Sequence, residues 1–157
     1  MRLPLEVMGI CYRLHNKRRE YLMLHRTPEK GGFWQPVTGG LEEGETIDEC
    51  LLRELAEEIA VVPKKVTPVL EIRQFFDKFK GTPWAITESM FGVELPADCT
   101  VTIAEEHSEY RWCTLAEALA LLKWDGNKNS LQLLDDHLSG KQVKVPRIVT
   151  ELQAEKI

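Results

Sequence analysis

The stretch from Gly39 to Ile59 constrains this chain more than any other. Thr46-Ile47-Asp48-Glu49 has the form of a capping box, in which the Thr hydroxyl and the Glu carboxylate each satisfy an amide that a helix start leaves free. Ile47, Leu51, Leu55 and Ile59 then recur every four residues, so one stripe of the helix has to be buried. Pro63 prevents its continuation. Glu54, Glu57 and Glu58 stand at i, i+3 and i+4 and share another face. Three neighbouring carboxylates repel one another unless a cation lies among them, and Arg53 can neutralise at most one. Magnesium or manganese suits such a face, because hard divalent ions take carboxylate oxygens and keep positions open for phosphate and water. The alternative is a solvated acidic face without a ligand. Gly39-Gly40, just upstream, shifts the balance toward an ion: glycine lets the backbone come close and can leave a carbonyl free as a ligand.

Charge is concentrated in the same place. The chain carries −5 overall, but Glu42 to Glu58 holds eight acids and one base. That segment carries −7 and leaves +2 for the rest. A long nucleic acid is therefore not an expected partner. The 157 residues fit one domain over 1–157, and 43% apolar with 29% charged residues is a globular mixture. No run approaches a membrane span, and Met1-Arg2-Leu3-Pro4-Leu5-Glu6 breaks too early for a secretory signal, so a cytoplasmic protein is expected. Cys11, Cys50, Cys99 and Cys113 lack metal or redox spacing and read as reduced thiols.

Alternation predicts strands over Leu5–Leu14 and Tyr21–Leu24, joined by a charged turn at Asn16–Arg19. Thr27–Phe33, with Pro28 and Gly31-Gly32, predicts a loop, and Trp34–Val37 a short strand. Val66–Phe79 and Ala85–Leu95 read as strands linked near Gly81-Thr82-Pro83, and Tyr110–Cys113 as another. Thr114-Leu115-Ala116-Glu117 is a second capping box, opening a helix to about Lys123. Asn129–Leu138 reads as the last main helix; in the tail 141–157, Pro146 could start a short one. Strands outnumber helices and several form hairpins, which argues for an α/β fold with a mixed sheet covered by helices.

The spacing Gly39, five residues, Glu45, seven residues, Arg53-Glu54-Leu55, one residue, Glu57-Glu58, one residue, Ala60-Val61 resembles the box of the Nudix hydrolases, G-x5-E-x7-R-E-U-x-E-E-x-G-U. Six identities at roughly 7% background each have a chance of ~10⁻⁷ per starting point. Ala60 stands where the pattern has Gly, and is expected to alter the helix end while leaving the metal ligands intact. The resemblance implies an α/β/α sandwich around a central mixed sheet, and hydrolysis of a pyrophosphate linkage with Mg²⁺, which Mn²⁺ can replace. It implies Glu57 and Glu58 as metal ligands with the Gly39 carbonyl, and Glu54 as a ligand or as the base. Arg53 would orient Glu54, and Glu45 would hold Arg53. The base is Glu54 or an acid outside the box.

Outside the box, Phe33-Trp34-Gln35-Pro36-Val37-Thr38-Gly39, Thr87-Glu88-Ser89, Glu106-His107 before Tyr110-Arg111-Trp112, and Trp124 with Asn127 are similar to the branch that cleaves dihydroneopterin triphosphate and dATP. That similarity implies Glu106 as the remote acid completing the metal site or serving as base, with Glu105 its rival by one position. His107 reads as structural or as a hydrogen-bond partner; no second histidine stands at zinc spacing. Trp34 could stack on a flat heterocycle or be a core residue. Arg26 could grip a phosphate or lie on the surface. Asn127 could read a ring edge or be a cap residue. Lys78 and Lys80 are further phosphate candidates. The expected activity is cleavage of a small-molecule triphosphate to monophosphate and pyrophosphate. Dihydroneopterin triphosphate ranks first, an ordinary or oxidised purine triphosphate second and a dinucleoside polyphosphate third. A non-catalytic nucleotide-binding module and an RNA-end pyrophosphohydrolase are the rivals. Monomer and homodimer both stay open.

Overall fold

The structure, a computed structural model, describes residues 3–79 and 81–154. Strands β1 (Leu5–His15) and β2 (Arg18–Arg26) form a hairpin whose tip, Asn16-Lys17, has both residues at positive φ. Such a tip matches the twist of the two strands. Pro36 cannot donate to a ladder. The short strand expected at Trp34–Val37 is accordingly divided into β3 (Trp34–Gln35), which pairs with β2, and β4 (Val37–Gly40), which pairs with β1. Helix α1 (Ile47–Ile59) follows, with Thr46 and Glu49 making the reciprocal capping bonds.

The strand expected over Val66–Phe79 is also two. Pro68 interrupts it, and Thr67 uses both its amide and its hydroxyl on Gly92. The products are β5 (Lys65–Val66) and β6 (Glu71–Phe79), both antiparallel to β7 (Thr82–Glu94). Strand β8 (His107–Cys113) pairs with β2, and helix α2 (Leu115–Leu121) starts at the second capping box. Helix α3 (Asp125–Leu138) begins four residues earlier than expected, so Asn127 lies inside its first turn. The tail is a strand, β9 (Arg147–Ala154), parallel to β6, and not a short helix after Pro146.

Among the described residues the strands form one sheet, ordered β3-β2-β1-β7-β6-β9, with β4, β5 and β8 paired alongside. The β1–β7 and β6–β9 pairs are parallel and the others antiparallel, so the sheet is mixed. Its faces bury different clusters. Val7, Cys11, Phe91 and Val93 pack against Leu51, Leu55 and Ile59 of α1. Met8, Ile10, Leu70 and Met90 pack with Ala118 of α2 and Leu131 and Leu134 of α3. Glycines of the central strands let both layers approach: a Cβ on Gly9 would stand 2.9 Å from Leu51, and one on Gly92 would overlap Leu134. The result is the α/β/α layering. No helix among the described residues is long and apolar enough to cross a membrane, and the four cysteines are free thiols.

A buried charged network fixes the second layer. Glu71, 1% exposed, accepts from Arg73 at 3.0 Å and, at close range, from Ser130 of α3 and Arg147 of β9. Arg73 also donates to Ser130 Oγ at 2.7 Å and to the Gly126 carbonyl. These bonds explain why the tail lies along β6: Arg147 closes the row that Glu71 opens. Helix α1 stops at Ala60 in the left-handed region (φ 54°), its amide bonded to Leu55 and Ala56. The alanine thus takes the left-handed stop that usually falls to glycine.

Glu71→Ala leaves Arg73 and Arg147 without their shared partner. A loss of about 3–5 kcal/mol in urea denaturation is expected. Ala60→Gly relieves the left-handed alanine and should raise stability by roughly 1 kcal/mol in the same assay.

Candidate active site

Gly39 and Glu54 meet face to face. Gly39 pairs with Val7 on β1, and a Cβ added to it would run into the Glu54 carboxyl. Only glycine lets α1 settle here with Glu54 buried over the strand. Arg53 is the hub beside it. Its Nε and Nη2 reach the two Glu45 carboxyl oxygens at 2.7 and 2.9 Å, and Nη1 reaches Glu54 Oε1 at 2.8 Å. It also donates to Glu57 at 3.2 Å and to the Gly40 carbonyl at 2.9 Å. One guanidinium thus hydrogen-bonds three acids, with Glu42 at 3.7 Å, although its single charge still offsets only one of them; its planar fork is what allows the shared contacts. The ion pair with Arg53 holds the Glu45 carboxyl down at about 2.

Glu57 is exposed, whereas Glu58 is buried, and the two behave differently. Burial, followed by the neighbouring Glu54 and Glu106 carboxyls, pushes the Glu58 pKa far above the usual carboxylate range. Burial also raises Glu54. Glu58 Oε2 accepts no hydrogen bond among the described residues. The loop before β8 is tied to the end of α1 by Thr102 N to Ile59 O at 3.0 Å and Ala104 N to Glu58 O at 3.3 Å. It thereby delivers Glu106 and His107 to Glu58, and one ligand atom from each of the three lies within 4.8 Å of the others. His107 Nε2 is 3.7 Å from Glu58 Oε1 and 3.5 Å from Gln35 Nε2. Burial lowers the His107 pKa, which favours the neutral ring. Oxygen donors gathered around an unpaired buried carboxylate oxygen suit a hard divalent ion.

A cleft of about 300 Å³ lies on the α3 side of the sheet. Arg26 and Lys30 line it with Gln35 and Thr38, and Phe33 and Trp124 meet over it edge to face at 4.5 Å. Arg26 is held by its own Nε bond to the Lys30 carbonyl at 3.0 Å. Glu6 of β1 and Asp77 of β6 also line it. The structure therefore brings Gly39, Glu45, Arg53, Glu54, Glu57, Glu58 and Glu106 together, and sets Arg26 in the cleft. Trp34 is not in its lining: His25 stacks on that ring at 4.6 Å, and Arg111 sits 4.9 Å from its centroid. Asn127 is buried in α3. Lys78 is exposed, and Lys80 lies outside the described residues.

Sequence reasoning assigned no role to Gln35, Glu6 or Asp77. Gln35 stands within Phe33-Trp34-Gln35-Pro36-Val37-Thr38-Gly39, where its neighbours carry the resemblance. Asp77 had a usable signal, because Glu71, Arg73 and Asp77 alternate on the inward face of β6 with Phe75, where apolar residues are the rule.

Without metal, Glu58 keeps its proton above the ordinary 4.5 at which the unfolded chain would release it. The folded state then binds more protons than the unfolded one, so stability falls as the pH rises past that value. Glu45 acts in the opposite sense: its contribution is present at neutral pH and is lost as the pH falls toward about 2. The metal-free melting temperature should therefore drop between about pH 5 and 8, and millimolar magnesium should recover it most at the alkaline end. A melting curve indifferent to both pH and metal would count against a preformed site.

A family model described as NUDIX domain matches residues 6–134. The dihydroneopterin triphosphate diphosphatase of Escherichia coli (strain K12) is 32% identical over 139 residues, covering 82% of this chain and 90% of that protein. A protein of Myxococcus xanthus named octanoyltransferase is 34% identical over 112 residues, covering 71% of this chain but only 31% of that longer protein. Among solved structures, a NUDIX hydrolase of Listeria monocytogenes str. 4b superposes with a TM-score of 0.74 at 30% identity, over 90% of this chain and 100% of that one. With the glutamate helix, the glycine strand and the remote acid assembled as described, the chain is a member of the NUDIX hydrolase family.

Proposed function

We propose that the chain is a magnesium-dependent pyrophosphohydrolase that cuts the triphosphate of a flat bicyclic ring to monophosphate and pyrophosphate, with dihydroneopterin triphosphate the first-ranked substrate. The observation that carries this reading is the position of the buried Glu54–Glu58 pair and Glu106 next to a cleft lined by Arg26 and Lys30. The Escherichia coli diphosphatase supports the choice of substrate by its similarity. Dihydroneopterin and purine triphosphates share a flat ring and a triphosphate, so a purine triphosphate is the second reading.

In the proposed site Glu57, Glu58 and the Gly39 carbonyl hold the ion, with Glu54 or Glu106 completing its shell. The ion, magnesium with manganese as substitute, supplies neutralisation of phosphate charge and a more acidic bound water. The chain's own residues do the rest. Arg53, clamped by Glu45, keeps Glu54 aimed over Gly39. Glu54 or Glu106 accepts the proton of the attacking water. Arg26 and Lys30 bind phosphate oxygens and draw charge from the leaving group. Phe33 and Trp124 offer aromatic faces to the ring.

A panel of triphosphates assayed for pyrophosphate in isotopically labelled water tests substrate and cleavage position together. Glu58→Gln should lower kcat by about 10³-fold or more while the circular dichroism spectrum is kept. Near-normal turnover would remove Glu58 from the metal shell. Binding of a triphosphate with magnesium but no pyrophosphate from any member of the panel would make the protein a binding module.

A further inference from the structure

The cleft is polarised along its length. Arg26 and Lys30 stand at one end, and Glu6 and Asp77 line the other strands of its floor. Between those strands runs β7. Glu88 of β7 is in register with Glu6 of β1 and with Arg73 of β6, so the three side chains share the face that bears the cleft. Glu88 is 3% exposed, and its Oε2 accepts no hydrogen bond among the described residues. Arg73, through the Gly126 carbonyl and Ser130, pins the first turn of α3 above the same row. Asn127 lies in that turn, three residues on from Trp124, and so shares its side of the helix. It is 2% exposed, and its Oδ1 likewise accepts nothing among the described residues. Neither residue is itself in the lining of the cleft, but each adjoins one that is, Glu88 beside Glu6 in the sheet and Asn127 one turn on from Trp124. Two buried acceptor oxygens without donors among the described residues thus lie next to its acidic end, an arrangement that burial penalises until a donor arrives.

We propose that this end of the cleft recognises a ring edge made only of donors, a ring N–H beside an exocyclic amino group as in guanine and pterin, with Glu88 the specificity-determining carboxylate and Asn127 a second acceptor. The inference rests on the proposed pyrophosphohydrolase reading and narrows its substrate class. A carboxylate meets such an edge with two parallel charge-assisted bonds, as it meets a guanidinium. Adenine offers an amino group beside a bare ring nitrogen, whose lone pair would face a carboxylate oxygen. Hypoxanthine keeps the ring N–H but lacks the amino donor. A ring reaching the two oxygens parts the Phe33–Trp124 edge contact and stacks on one of those faces. The triphosphate is then left at Arg26 and Lys30, toward the glutamate helix. Arg73 is a positioning residue in this scheme.

The test compares kcat/KM for dGTP, dITP and dATP with magnesium, in the full chain and in Glu88→Gln and Asn127→Ala. The wild type should prefer dGTP over both others, and Glu88→Gln should lower the dGTP-to-dITP ratio by about 10- to 100-fold. Because the ratio is taken within one preparation, partial unfolding of a variant does not change it. Asn127→Ala should move the ratio in the same direction. Wild-type values within about threefold of one another, or a ratio untouched by both substitutions, would overturn the inference and leave ordered water as what satisfies the two oxygens. If no triphosphate is hydrolysed, the functional reading fails by itself. Calorimetric binding of GMP, IMP and AMP then decides the edge preference: tighter GMP supports it, and equal affinities overturn it.

Discussion

The contact between the Glu54 carboxylate and the bare backbone of Gly39 is the constraint on which the rest of the site depends. It places an acidic helix face against a strand, where burial works against the ionised form of two of its glutamates. Arg53 makes the arrangement tolerable by spreading one planar cation over Glu45, Glu54 and Glu57. It leaves Glu58 out. That residue lies deepest, beside Glu106 and His107, and its buried Oε2 accepts no hydrogen bond among the described residues. A helix that buries its own repulsion in this way is poised to gain stability from a divalent ion. Stability and proposed catalysis are thus linked through the same atoms.

The sheet divides the work between its faces. On one, Leu51, Leu55 and Ile59 anchor α1 over β1 and β7 and so set the height of the glutamates. On the other, the Glu71–Arg73 network anchors α3 and β9 and so sets the position of Trp124, which lines the cleft, and of Asn127 in the turn after it. The two meet at β4, where Thr38 lines the cleft and Gly39 underlies Glu54. In the proposed reaction a substrate would therefore be read by one helix layer and cut by the other. Both networks use arginine for the same reason, since its fork satisfies several acceptors from one buried position.

Much of this was legible from local chemistry. The capping boxes at Thr46 and Thr114 mark both helix starts because a cap is a contact between residues three apart. The spacing from Gly39 to Glu58 describes the glutamate face for a similar reason, as a helix turns i, i+3 and i+4 to one side. What local chemistry missed came from contacts remote in the chain. Pro36 and Pro68 each cut a strand that apolar content alone would have run through. The start of α3 carries no side-chain cap, so nothing near Asp125 announced it. Strand β9 is held by Arg147 on Glu71, seventy-six positions away, and its own residues do not distinguish a strand from a short helix. Trp34 illustrates the same limit: its place in the motif left a stacking face and a core residue both open, and the structure packs it partly buried against the core with His25 on its ring, while Phe33 and Trp124 line the cleft.

By itself the sequence determined the acidic helix, its buried stripe, the glycine strand before it and, through their spacing, the family. Those features depend on near neighbours, whose geometry is set by helix periodicity and capping. Tertiary structure alone decided that Glu58 is the buried glutamate and Glu57 the exposed one, and that Glu106 arrives beside it through bonds from the following loop to the end of α1. It alone decided that Glu6 and Asp77 line one cleft, that Glu88 stands in register beside Glu6, and that Asn127 is buried in the first turn of α3. Those placements come from strand register and helix docking, which join residues too far apart in the chain for any local pattern to record.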